Sequence, residues 1–347
     1  MVEKKINLIN PKEAFKILEN VIVGSEKAKK DLASITFENI YSFLHPETAD
    51  NYFHPNQVLF LGKDGTGKDL ILKTLAEIYD IPFVKLNLYD LEPKISFSQF
   101  MINNIFNGLV ESDTDSKNSG VLKPVKNSAQ SIVYIQGIDL IVDNDYYSSY
   151  GNVDFISKKI LQTEITNFIN DRINIFSDSI SEPIPTKNML YVFGGNFIKL
   201  EDIIAKRLVG RGLSGFKQAN RYPLMGNLDE ENIFKYVLKE DFIEFGFDEN
   251  LLRSFSTLTY TNSLSQTDFV RLLQSKSSYL NTKIELLNNL GVEVKVKPSG
   301  IVALSELLYQ QGSDIGGVKH LVDTTLNESY FADGQIIFDD SFVKKTI

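Results

Sequence analysis

The eight residues Gly62-Lys63-Asp64-Gly65-Thr66-Gly67-Lys68-Asp69 combine the two residue types that hold phosphate. Glycines let successive backbone N–H groups close around an anion, and a lysine meets its outer oxygens. The flanks are in the required order, because Gln57-Val58-Leu59-Phe60-Leu61 is an apolar run suited to a buried strand and Leu70 to Ala76 continues as a helix. In a working loop of this kind the residue after the lysine is Ser or Thr, whose hydroxyl holds Mg²⁺. Asp69 stands there instead. Like charges about 4 Å apart repel by about 4 kcal/mol at an effective dielectric of about 20, so an ionised Asp69 weakens triphosphate binding unless a cation bridges it. Alternatively it pairs with Lys68 and fills an empty site.

Composition narrows what this loop serves. The 347 residues are 43% hydrophobic and 23% charged, ordinary for a globular chain with room for two or three cores. A formal charge of -9 and a pI near 5.1 argue against a nucleic-acid or anionic-membrane surface. With no cysteine and only His45, His54 and His320, neither disulfides nor a zinc site is expected. The N-terminal residues carry no apolar leader and no stretch approaches the roughly 18 apolar residues of a membrane span, so a cytoplasmic chain is expected.

The elements that must position the loop follow from periodicity. Helices are expected from Pro11 to Leu18 and after Ser25, which can cap a long amphipathic helix, and again from Phe97 to Leu109. Buried-type strands are expected at Phe83–Leu86, Ser131–Ile135 and Asn188–Phe193, the last ending at Gly194-Gly195. Helices alternating with apolar strands imply a parallel sheet covered on both faces. Residues 111–129 and 143–152 read as solvated loops. After Thr257 the pattern changes. Ser265 and Asp268 form a capping-box candidate opening a long helix, Val292–Val296 alternates as an edge strand, and helices follow near Ile301–Gln310 and Gly317–Tyr330. The expected division is an α/β part over residues 1–257 and a small, mainly helical part over residues 258–347.

Taken in order, these segments resemble the AAA+ module of the ClpX unfoldases, over roughly Val21 to Tyr330. Val21-Ile22-Val23-Gly24 is similar to the family segment that flanks adenine, and Gly62–Asp69 matches its Walker A loop, so the resemblance implies nucleotide contacts from Ile22, Val23, Gly65, Thr66, Gly67, Lys68, Asp69 and Leu70. Ser131 to Asp139 is similar to the Walker B strand, but Gln136 and Gly137 replace the family's Asp-Glu pair. The Asp orients the metal and its water, and the Glu activates that water as general base. Phe193-Gly194-Gly195-Asn196-Phe197 resembles the first sensor region, Arg253 falls on the arginine-finger position, and Gly316 occupies the place of the sensor-2 arginine, with Lys319 one turn on. The pore loops differ too: Ile95-Ser96-Phe97-Ser98 replaces an aromatic grip, so Phe97 either contacts a peptide or packs at a helix start, and Asp154-Phe155-Ile156-Ser157 replaces a basic loop. Leu213, Gly215 and Phe216 lie where the family docks on the ClpP peptidase, with Ser214 breaking the motif. The family's cysteine-ligated zinc domain is not expected.

The resemblance therefore implies an AAA+ P-loop subdomain plus a small helical one, with ATP or ADP as cofactor and Mg²⁺ only through Asp69. Loss of the Walker A hydroxyl, both Walker B acids and the sensor-2 arginine points to a pseudo-ATPase acting through homo- or hetero-oligomers and protein partners. A missing general base alone commonly costs about 10²- to 10⁴-fold. Two alternatives stay open: an active ATP-dependent unfoldase, or a regulatory subunit of a mixed ring that supplies Arg253 in trans.

Overall fold

The computed structural model describes residues 8–47, 57–92, 95–112, 122–142, 158–171, 174–175, 183–212, 230–276, 278–331 and 334–346. The contacts divide the chain into two compact units: one holds Met1–Val21, Glu26–Lys63 and Lys68–Thr261, the other Ile22–Ser25, Asp64–Gly67 and Asn262–Ile347.

In the first unit, helices α1 (Pro11–Val21) and α2 (Glu26–Leu44) precede strand β1 (Gln57–Leu61), helix α3 (Lys68–Tyr79) and strand β2 (Phe83–Asn87). Helix α4 (Phe97–Leu109), strands β3 (Val110–Ser112), β4 (Leu122–Pro124) and β5 (Ile132–Gln136), helix α5 (Lys158–Asp171), strand β6 (Leu190–Gly195) and helix α6 (Ile198–Gly212) follow, then α7 (Lys239–Phe245), α8 (Glu249–Ser254) and β7 (Thr257–Tyr260). Five strands form one sheet in the order β2-β5-β6-β1-β7, every pairing parallel. Strands β1 and β6 are buried along their whole length, which is why they read as continuous apolar runs and not as alternation. The chain leaves β1 toward β2 at the far edge, passing over β6 and β5. That jump makes the carboxyl end of β1 the topological switch point, where open parallel sheets bind ligands. Strand β7 belongs to this unit, which runs to Thr261.

One expectation changes here and one open alternative is decided. Residues 111–129 are not wholly a solvated loop, because β3 and β4 pair antiparallel, Val110 opposite Pro124, and the Val125 N–H donates to the Leu109 carbonyl at 2.8 Å. Main-chain pairing, which leaves no apolar signature, holds that hairpin. Phe97 starts α4 fully buried, edge-on to Phe168 at 5.6 Å, with its N–H donating to Glu164 at 2.7 Å, so it packs at the helix start.

The second unit has its own core of Leu280, Leu287, Leu304, Leu308, Val322 and Phe338. The long helix expected after Ser265 is two helices, α9 (Gln266–Gln274) and α10 (Tyr279–Asn289). Ser278 Oγ accepts the Asn281 N–H at 3.1 Å and caps the second one afresh. Strand β8 (Glu293–Val296) leads to helices α11 (Pro298–Gln310), with proline in its first turn, and α12 (Ile315–Leu326); then β9 (Gln335–Phe338) pairs parallel with β8 before α13 (Asp340–Thr346). Among the described residues, no helix is long and apolar enough to cross a membrane.

Candidate functional site

Helix α3 opens at Lys68 directly after the glycine loop, so the helix N-terminus and the loop amides point at one region. The lysine side chain is 4% exposed, and its ammonium donates to the carbonyl of Gly62 and, at 2.8 Å, to that of Lys63. It folds back over its own loop. Gly65 and Gly67 adopt φ of 73° and 89°, a left-handed backbone that glycine adopts without strain. Ile22 is 4% exposed and lies beside Gly67, where an added methyl would come within 3.9 Å of its Cγ2. Val23 and Thr66 are half-buried, and Leu70 is 40% exposed on α3.

Asp69 does not pair with Lys68. Its carboxylate meets Lys85 on β2, and both side chains remain roughly half exposed. The alternative left open by the sequence, an Asp69–Lys68 pair, is thus replaced by a cross-element pair.

Gln136 ends β5, and Gly137 follows at φ 92° with its N–H donating to the Gly194 carbonyl at 2.7 Å. A methyl at Gly137 would lie 3.0 Å from Leu140 Cδ1. The acid that does remain, Asp139, leaves the strand on a 3-10 turn. One of its oxygens accepts the backbone N–H groups of both Asn196 and Phe197 at 3.1 Å. Burial pushes its pKa up, opposed by those N–H groups and by the nearby Lys68 charge. Phe197 sits at φ 56°, the left-handed turn that lets two successive amides converge on one carboxylate. Asp139 therefore ties the end of β5 to the end of β6. It is oriented by the backbone, away from the role of a free base.

Arg253 lies on α8 with its side chain 68% exposed and Nη2 donating to Glu249 at 2.6 Å. Glu249 also accepts from Lys239 at 2.5 Å, and the Lys239 hydrogen bond, with the Arg253 charge behind it, holds its carboxyl below the usual range. Beside them an apolar cavity of about 310 Å³ is lined by Leu59, Phe242, Leu252 and Phe255.

In the second unit, Gly316 is in the first turn of α12, and Lys319 reaches over the Tyr279 ring at 5.9 Å. Leu213, Gly215, Phe216 and the loop at 154–157 lie outside the described residues.

Sequence reasoning missed Arg207, whose guanidinium grips the buried Asp241 through Nε at 2.6 Å and Nη2 at 2.8 Å. It also missed Lys85 and Asp314. Each contact joins positions far apart in sequence; their signal is chemical type alone, a basic residue on a strand or an acid before a helix.

The arrangement fits a phosphate group. Loop glycines and Lys68 remain, whereas Asp69 is turned to Lys85 and position 137 offers no carboxylate. The family described as "ATPase family associated with various cellular activities (AAA)" matches residues 58–192, from β1 to β6. The "ATP-dependent Clp protease ATP-binding subunit ClpX" of Bacteroides fragilis is 23% identical over 336 residues, 93% of this chain and 77% of the relative. The Bacteroides thetaiotaomicron protein of that name matches to the same extent, and that of Porphyromonas gingivalis is 22% identical over 342 residues, 94% of this chain and 79% of its own. Sheet order, loop position and similarity along nearly the whole length agree: the chain carries a ClpX-like AAA+ module.

Proposed function

We propose that this chain is a pseudo-ATPase, a cytoplasmic AAA+ module that holds ATP or ADP in its phosphate loop without turning it over and acts through oligomeric assembly or protein partners. The observation that carries the reading is at position 137. A general base there needs a carboxylate beside the attacking water, and Gly137 has neither side chain nor a backbone that welcomes one. The acid at Asp139 is engaged by two amides, and Asp69 is engaged by Lys85. Magnesium binding through Asp69 would first have to break that pair. In the purified chain with Mg²⁺ and ATP, phosphate release is expected at the background of a Lys68→Ala variant; turnover abolished by Lys68→Ala would establish an active motor instead.

The relatives' names, ATP-binding subunits of an ATP-dependent Clp protease, supply the competing reading of an active ATP-dependent unfoldase. Docking of this chain on such a peptidase would use Leu213, Gly215 and Phe216. A second reading is favoured by the exposure of Arg253: among the described residues it bonds to surface Glu249, which leaves it available to a neighbouring subunit's nucleotide.

A further inference from the structure

The loop tip Asp64–Gly67 packs with the C-terminal unit, and the residue lying on it is Asp314. A methyl at Gly65 would come 2.6 Å from Asp314 Cγ, so the carboxylate lies flat against the loop where only glycine leaves room. Two bonds fix it there. One Asp314 oxygen accepts the Gly317 N–H at 2.7 Å, capping α12, and the adjacent Ile315 N–H reaches the Gly65 carbonyl at 3.5 Å. An added methyl at Gly316 would lie 3.1 Å from that same Asp314 oxygen, so the glycine leaves the acid as the group presented by this helix start.

A phosphate loop works by offering amide dipoles and a lysine to an anion. Here Gly65, itself still exposed, is contacted by a carboxylate that cannot swing away without uncapping a helix. We propose that Asp314 sets nucleotide affinity: it is a built-in acidic competitor that disfavours a bound polyphosphate in proportion to the ligand's charge. The proposal rests on the nucleotide-binding reading above and names what tunes it. It also accounts for why the loop can retain Gly65, Gly67 and Lys68 while presenting less attraction than those residues alone would give.

The test is equilibrium binding of fluorescent ATP, ADP and adenosine analogues to the full chain, comparing the parent with Asp314→Asn and Asp314→Ser. Both variants keep a helix cap and remove the charge. Expected is tighter ATP binding by about tenfold, equivalent to about 1.4 kcal/mol, a smaller gain for ADP, and none for adenosine, with every gain shrinking at high salt. Lys68→Ala should abolish polyphosphate binding in either background. Equal gains for adenosine and ATP, unchanged affinity in both variants, or no binding by any variant would each overturn the proposal. Thermal unfolding of Asp314→Ala, which also loses the cap, separates a folding defect from a charge effect. Lys68-dependent turnover by the parent would instead overturn the pseudo-ATPase reading, and the ratio of ATP affinities would still decide the role of Asp314.

Discussion

Gly137 sets the terms at the scale of single residues. Its φ of 92° is a backbone conformation that L side chains rarely adopt, and Leu140 and Tyr89 flank the space a Cβ would take. Restoring a glutamate is therefore not a simple repair. Gly137→Glu is expected to lower stability by about 1–2 kcal/mol, read from the urea midpoint, and to give no phosphate release by itself. A variant as stable as the parent would mean that the strand end relaxes and can host a base. Asp139 makes a second case. Its removal in Asp139→Ala strands the N–H groups of Asn196 and Phe197, at a cost of about 1–3 kcal/mol. Because burial raises its folded pKa, its contribution to stability is complete below the ordinary carboxylate value of 3.8 and is lost as pH rises through the higher folded value. Asp139→Asn, neutral throughout, should thus gain on the parent in thermal unfolding as pH rises above the ordinary carboxylate value of 3.8; a difference that stays constant with pH would sink this account. The sequence displays the residue types of this site, Lys68, Asp69 and Gly137, but not their partners. Lys85 reaches Asp69 from a neighbouring strand, and Asp314 reaches Gly65 from the far end of the chain.

Elements show why some boundaries were legible and others were not. Strands β1, β5 and β6 are apolar runs apart from Gln57 and Gln136 at two of their ends, so composition locates them. Across the break between α9 and α10 the buried positions Phe269, Leu273, Leu280, Ile284 and Leu287 keep helical spacing, so the pattern reads as one helix. The serine cap that divides them is decided by local hydrogen bonding, not by burial. Helices α6 and α7 are joined by the Arg207–Asp241 pair, whose acid is 1% exposed and also accepts the Leu238 N–H at 2.7 Å. Its hydrogen bond, with its charge behind it, pushes the Arg207 pKa up. Asp241→Ala leaves the guanidinium without its carboxylate at a cost of about 3 kcal/mol, measured by denaturant unfolding. A loss below about 1 kcal/mol would place the pair with ordinary surface bridges.

For the molecule as a whole, the question is what the proposed pseudo-ATPase accomplishes. If Arg253 serves a neighbour, mixing this chain with an active ClpX-type ATPase should raise that enzyme's turnover, and Arg253→Ala should remove the stimulation while leaving co-assembly intact. Glu249→Gln, which frees Arg253 from its surface carboxylate, should strengthen the effect. No co-assembly at all would leave self-assembly as the route to function. The net charge of -9 bears on the same scale, because an acidic protein that binds an acidic ligand needs concentrated local positive charge, and within the loop Lys68 supplies it beside Lys63, whose ammonium faces Glu201 at 3.4 Å.

The amino-acid sequence by itself determined the fold class, the place of the glycine-lysine loop and the glutamine and glycine that stand at positions 136 and 137. Those follow from local pattern and residue identity: apolar runs, glycine spacing and the chemistry that glutamine and glycine lack. Tertiary structure alone decided that Asp69 faces Lys85, that Asp139 ties two strand ends together, and that Asp314 lies against Gly65. Each is a meeting of charges or amides brought together by chain crossing, and no periodicity along a chain encodes which distant group will arrive there.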